Sequence, residues 1–158
     1  MDFKELQAEY YKNLRSVTEE KLVQGALIRT IVSSKEGLKF KDDRTEKPKR
    51  IIIIGIDKEE KLCYGTVLVN TKMNPRSDYS EEYLVAQYFL LQENYPEFLD
   101  YDSFVDCSTL FSIPLDKIKK GEYFGVLNDT DKFGVFNILE STDTITTHLK
   151  KRFNIRRR

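Results

Sequence analysis

Histidine, cysteine and tryptophan are scarce or missing in this chain. Its 158 residues include one histidine, two cysteines and no tryptophan. The single histidine, His148, excludes acid–base mechanisms that require a histidine pair. Cys63 and Cys107 match neither a zinc-binding nor a redox spacing, so we expect both to be buried thiols in a reducing compartment.

Long apolar runs are also missing. None approaches the roughly 20 residues of a membrane-spanning helix. The first residues, MDFKELQAEYYKNLR, mix both charge signs and contain no apolar core of a secretion signal. We therefore expect no membrane partner and a cytoplasmic location.

Neither sign of charge dominates, but the two signs are unevenly placed. The 26 basic residues balance the 26 acidic ones. Residues 77–116 contain acids and no Lys or Arg, whereas residues 35–50 and the C-terminal tail, 150–158, are rich in bases. A neutral total therefore conceals an acidic segment and two basic ones, and a basic surface favours a polyanionic partner.

The first 24 residues predict an amphipathic helix. Apolar residues recur there at steps of three and four: Phe3, Leu6, Tyr10, Leu14 and Val17. Asp2 is suited to cap the start of the helix and Gly25 to end it. Because a large exposed apolar stripe is unusual on a monomer, we expect it to be buried on the main domain or across a dimer interface.

Residues 25–149 predict a single α+β domain around a small antiparallel barrel. Five strands are predicted, at 26–33, 50–56, 62–70, 104–111 and 122–127. Helices are predicted over 79–92, after a cap at Asn128 or Asp129, and after a cap at Asp143. The apolar runs IIII and CYGTVLV predict strands covered on both faces, with Gly55 and Gly65 at bulges or points of curvature.

Two metal-site patterns in the chain are incomplete, and we predict neither a metal nor another cofactor. An EF-hand loop that begins at Asp100 and includes Asp102 and Asp106 would need Gly and Glu where Val105 and Phe111 stand. Glu59 and Lys61 imitate a nuclease pair but fall in the predicted turn of a hairpin.

Arg50 and Thr71 are the candidate catalytic residues. They flank the hairpin at the start of one strand and the end of the next, which are neighbours in an antiparallel pair. A guanidinium fork matches phosphate oxygens, and a hydroxyl can hold another oxygen of the same phosphate. The pair suits RNA cleavage by the 2′-hydroxyl. Alternatively, Arg50 is a solvated strand end and Thr71 a turn residue.

Lysines near the hairpin form the candidate RNA-binding set. They are Lys39, Lys41, Lys47, Lys49 and Lys72. The charged loop at 34–49 can cover Arg50 and Thr71, and its lysines can hold the RNA backbone. We expect this set and the tail to supply electrostatic contacts to phosphates.

The order of elements resembles the MazF/PemK (Kid) toxin family over about residues 25–140. The resemblance rests on GALIRTIV, a long charged loop, KPKR leading into IIIIGI, TVLVNTK, a helix, SFVDCSTLF and GEYFGVLNDTD. Pro48 and Arg50 resemble the family's proline and arginine at the start of the second strand. Thr71 resembles its Ser or Thr at the end of the third strand, and Asp106 is the nearest match to its later aspartate. The helix within residues 1–24 is additional.

This resemblance implies an SH3-like barrel and a prokaryotic toxin–antitoxin protein. Members include cytoplasmic, usually dimeric mRNA endoribonucleases. It therefore implies single-stranded RNA, a cognate antitoxin and a second copy of the chain as partners, and metal-independent cleavage as the activity. The alternative is a non-catalytic SH3-like-barrel module that binds RNA or a protein.

Overall fold

The computed structural model describes residues 1–36, 45–70 and 80–156, with the backbone alone for 69 and 70. The strands are β1 Ala26–Ser33, β2 Glu46–Asp57, β3 Leu62–Asn70, β4 Gln87–Leu90, β5 Ser103–Pro114 and β6 Glu122–Val126. The α-helices are α1 Phe3–Arg15, α2 Glu81–Val85, α3 Leu115–Lys119, α4 Asp129–Ser141 and α5 Thr147–Arg152. An α+β fold is thus confirmed.

The six strands form one antiparallel sheet in the order β4-β5-β3-β2-β1-β6. Within the described residues β4 and β6 are its two edges, so the sheet is open and a closed barrel is not confirmed. At the far end of β5, α3 returns towards β1, where Thr30 Oγ1 donates a hydrogen bond of 2.6 Å to the Lys117 carbonyl oxygen. Among the described residues, α3 thus packs on β1, and no strand pairing joins the edge strands β4 and β6.

Both faces of the central strands are buried, as the apolar runs predict. Ile51 and Ile53 belong to one hydrophobic cluster, with α3 and the start of β1. Ile52 and Ile54 belong to the other, with α4 and the C-terminal residues. Alternate residues of a strand point to opposite faces, so four consecutive isoleucines serve both clusters.

The predicted bulges also lie where expected. The β2–β3 register shifts between Ile53 and Gly55, and the β3–β5 register shifts between Gly65 and Val67. At Gly65, a Cβ atom would lie 2.5 Å from Ile51 Cγ2, so the neighbouring strand approaches closer than a side chain allows.

The helix predicted over 79–92 is wrong in its second half. Helix α2 ends at Val85, and residues 87–90 form the edge strand β4. Ser80 caps α2 by accepting a hydrogen bond of 3.2 Å from the Tyr83 amide. Residues 87–90 form a strand because their pairing with β5 overrides the local helix propensity. Tyr88 and Leu90 therefore face the hydrophobic cluster that contains Ile52 and Ile54, and Phe89 faces away from it.

The C-terminal residues that the sequence predicts to be a tail form part of the core as far as Ile155. Helix α5 runs to Arg152, and Phe153 and Ile155 behind it are both buried. Lys150 Nζ donates to the carbonyl oxygens of Glu140 and Thr142, each at 2.7 Å. The Arg152 guanidinium forms an ion pair with the buried carboxylate of Asp57. These contacts use basic groups that the sequence assigns to RNA.

Helix α1 is shorter than predicted, and the described residues do not bury its apolar stripe on the main domain, which is one of the two placements that the sequence predicts. A capping box between Asp2 and Glu5 starts it, and it ends at Arg15, before the predicted Gly25. Val17 is buried outside the helix, whereas the other four residues of the predicted stripe are exposed.

None of the helices in the described ranges is long and apolar enough to cross a membrane.

Candidate functional site

Arg50 lies within β2, directly opposite Arg29 of β1. Its side chain points to the face of Ile52 and is 26% exposed. The Nε–H group donates a hydrogen bond to the carbonyl oxygen of Phe98, and Nη2 donates one of 2.7 Å to Asp100 Oδ2. One side of the guanidinium is therefore fixed by backbone and another by an exposed carboxylate.

The loop that receives Arg50 is held by a second arginine. Arg15 forms an ion pair with Glu97, donates a 3.2 Å hydrogen bond to the Tyr123 carbonyl oxygen, and lies 4.4 Å from the centroid of the Phe124 ring. Phe98 also packs on Phe124, with ring centroids 5.6 Å apart. Two arginines from distant parts of the chain thus fasten residues 97–100 to the sheet.

Arg29 completes a cluster of arginine–carboxylate pairs on this face. It pairs with Glu122 at 3.8 Å, and both side chains are about half exposed. We call the three pairs, Arg15–Glu97, Arg29–Glu122 and Arg50–Asp100, the arginine cluster. An exposed ion pair stabilises by no more than about 1 kcal/mol. A phosphate can therefore displace one of these carboxylates at small cost.

The structure separates Arg50 from the predicted RNA-binding lysines that it describes. The β1–β2 register is unbroken from Ile52 to Glu46, so Lys47 and Lys49 share the face of Ile51, opposite to that of Arg50. Both lysines are partly buried. Four predicted site residues lie outside the described residues: Lys39, Lys41, Thr71 and Lys72. The proximity of Thr71 to Arg50 therefore stays a prediction.

The three aspartates of the incomplete EF-hand pattern have separate structural partners. Asp100 pairs with Arg50, and Asp102 accepts a 2.8 Å hydrogen bond from the Gln92 amide. Asp106 is buried and accepts hydrogen bonds from the Gln87 side chain and from both the amide and the hydroxyl of Ser108. Its oxygen Oδ1 therefore already carries three local contacts.

Both cysteines are free and buried, as the sequence predicts. Desolvation raises the pKa of the Cys63 thiol to about 12. Desolvation and the nearby Asp106 carboxylate also raise the pKa of Cys107. Because thiolates are the reactive form, these positions do not suit nucleophilic catalysis at neutral pH.

A buried polar cluster, absent from the sequence prediction, positions α4 on β4. The Asp131 carboxylate accepts hydrogen bonds from the hydroxyls of Tyr88, at 2.7 Å, and Tyr95, at 2.5 Å. Tyr95 in turn accepts one of 3.1 Å from the Asn128 amide. At Gly134 a Cβ atom would lie 2.1 Å from the Tyr88 ring, so the missing side chain lets that ring cross α4.

This cluster predicts a loss of stability at high pH. Burial and the Asp131 hydrogen bond raise the pKa of Tyr88 to about 12 and also raise that of Tyr95. An unfolded tyrosine loses its proton near about pH 10. The folded state retains these protons longer, so their stabilising contribution is complete below about pH 10 and is lost as pH rises towards the folded pKa.

Urea unfolding at several pH values measures this effect. The free energy of unfolding of Tyr95→Phe should fall less steeply above about pH 10 than that of wild type. Tyr101→Phe, which removes an exposed hydroxyl outside the Asp131 cluster, is the control. Equal slopes for all three proteins would contradict the assignment.

Comparisons with protein-family models and with curated proteins find no match to this chain. A function for the chain is therefore inferred from the chemistry of the site. Its main feature is the arginine cluster, of which the sequence singled out Arg50. Glu97 and Asp100 come from a loop within residues 77–116, whose charge imbalance was the only sequence signal for them, whereas Glu122 comes from β6.

Proposed function

We propose that this protein binds single-stranded RNA and cleaves it as a metal-independent endoribonuclease of the MazF/PemK (Kid) toxin type. The supporting observation is the setting of Arg50. Its guanidinium is oriented by the Phe98 carbonyl oxygen and paired with the Asp100 carboxylate, whose side chain is 75% exposed. A phosphate has the charge and the geometry to replace that carboxylate.

In the proposed reaction, the 2′-hydroxyl of the RNA attacks the adjacent phosphorus. Its proton passes to a general base, and the 5′-oxygen of the next nucleotide leaves with a proton from a general acid. The products are a 2′,3′-cyclic phosphate and a 5′-hydroxyl. Arg50 stabilises the negative charge on the non-bridging oxygens, and Thr71 binds one of them.

The fold gives this proposal indirect support. Two features favour an SH3-like barrel: the central strands are buried on both faces, and the bulges beside Gly55 and Gly65 curve them. Cytoplasmic mRNA would then be the substrate, and an antitoxin protein would mask the arginine cluster.

The second candidate is a non-catalytic module that binds RNA or a protein. It is favoured by the placement of Lys47 and Lys49 on the face opposite to Arg50. It is also favoured by the carboxylates that already neutralise each arginine of the cluster. In this form the acidic segment 77–116 would face a basic partner.

The first test measures RNA binding by a variant that frees Arg50. Asp100→Ala removes the competing carboxylate, so it should tighten binding of single-stranded RNA by about two- to fivefold at low salt, the equivalent of one exposed ion pair. The readout is fluorescence anisotropy with a labelled RNA of mixed sequence in excess EDTA.

Glu97→Ala is the matched control. It also removes one exposed acid of the same loop, the partner of Arg15, and so it changes the net charge equally. If Arg50 is the phosphate site, Asp100→Ala should improve affinity more than Glu97→Ala. Equal gains would indicate a general charge effect, and no binding by any of the proteins would exclude RNA as the ligand.

A further inference from the structure

Helix α1 presents an apolar face that no described part of the chain covers. Every residue from 1 to 14 is exposed. The exposed fractions are 78% for Phe3, 54% for Leu6, 63% for Tyr10 and 41% for Leu14. These residues follow one another at steps of three and four, so they line a single side of the helix.

The helix is well capped but poorly supported. Its 13 residues begin in a capping box, and Lys21 Nζ donates hydrogen bonds to the carbonyl oxygens of Asn13, Leu14 and Ser16 at its end. Isolated helices shorter than about 12–15 residues are marginal in water, and most helical stability comes from packing an apolar face. Arg15 joins only the last turn to the sheet.

The charges beside this face favour a second copy of the chain as its partner. The helix and its cap carry three acids and three bases: Asp2, Glu5, Glu9, Lys4, Lys12 and Arg15. A nucleic acid, an anionic membrane or a strongly charged protein would find no net field to complement. Two identical neutral faces approach each other without net repulsion.

The available area also fits a pair of helices. Aromatic side chains bury about 150–250 Å² each, and α1 exposes three aromatic residues and two leucines in part. These exposed fractions amount to roughly 500 Å² per helix, or about 1,000 Å² per pair, the lower limit of a specific interface.

We propose that α1 is a dimerisation element and that two copies of the chain pack the apolar faces of their α1 helices against each other. Helix α1 lies outside the segment that resembles the toxin family, and the proposal does not depend on RNA cleavage. The main domain would then project from one end of each helix, because α1 contacts it through Arg15.

Sedimentation equilibrium of the full chain over a range of concentrations tests the proposal. Wild type should be dimeric at high concentration. Leu6→Gln combined with Tyr10→Gln removes two apolar side chains from each copy and should raise the dimer dissociation constant by about 100-fold or more.

Glu5→Gln combined with Lys12→Gln is the matched control. These residues follow Phe3 and Tyr10 by two positions, about 200° around the helix, so they point away from the apolar face. The pair leaves the net charge unchanged and should leave the dimer intact. Circular dichroism and melting curves confirm that each variant folds. A wild type that stays monomeric throughout, or a dimer that survives loss of Leu6 and Tyr10, would overturn the proposal.

Discussion

Phe153→Ala is expected to lower the free energy of unfolding by about 3–5 kcal/mol, the usual cost of truncating a buried phenylalanine. The side chain belongs to the hydrophobic cluster under α4 although it follows the last helix. Its ring centroid lies 4.9 Å from that of Tyr64. The ring occupies the space left by Gly55, where a Cβ atom would lie 2.0 Å from Phe153 Cδ1.

Urea unfolding monitored by circular dichroism measures the change. Arg156→Ala, three residues further on and exposed, is the control and should change stability by no more than about 0.5 kcal/mol. Gly55→Ala should be destabilising as well, because its new methyl group displaces the Phe153 ring. Wild-type stability in Phe153→Ala would show that the C-terminal residues are a solvated tail.

The sequence predicts a basic tail at 150–158 and not a buried Phe153, because basic residues outnumber the apolar ones in this segment. In KKRFNIRRR, six basic residues surround Phe153 and Ile155. Local composition therefore indicates a solvated polyelectrolyte. The structure buries both apolar side chains, and Asp57, which pairs with Arg152, is nearly a hundred residues away in sequence. Such a pairing depends on tertiary structure and leaves no local pattern.

Strand β4 illustrates a second limit. The segment YLVAQYFLLQ follows a helix-capping pattern and contains good helix formers, so a helix is the reasonable sequence prediction. Only the neighbouring strand β5 decides otherwise, by pairing with residues 87–90. By contrast, β1 and β3 were predicted with their observed limits, because strongly apolar runs bounded by turn residues mark buried strands.

The sequence could have predicted that Arg50 lies on the opposite face of the sheet from Lys47 and Lys49. Side chains alternate along a strand, so a residue at an even number and its neighbours at odd numbers face opposite sides. The prediction treated the basic residues before the isoleucines as the flank of a strand and grouped them. In the structure β2 begins at Glu46, so the alternation of side chains includes Lys47, Lys49 and Arg50.

Arg50→Lys is expected to slow RNA cleavage by about 10²- to 10³-fold, roughly 3–4 kcal/mol in activation free energy. Lysine keeps the positive charge but loses the planar fork, and with it the Nε–H group that donates to the Phe98 carbonyl oxygen. The guanidinium is therefore lost both as a phosphate ligand and as a fixed group. The loss of that one hydrogen bond should cost about 1 kcal/mol of folding stability, far less than the kinetic effect.

Cleavage of a mixed-sequence RNA in excess EDTA, with a melting curve for every protein, is the measurement. Arg29→Lys makes the same substitution directly opposite Arg50 on the same face, at a more exposed side chain, and should slow cleavage less. Thr71→Val removes the second candidate ligand and should also slow cleavage. A wild type without cleavage would leave the binding module as the function. Cleavage that survives both Arg50→Lys and Thr71→Val would assign Arg50 to the support of residues 97–100, since its contacts to Phe98 and Asp100 would then be purely structural.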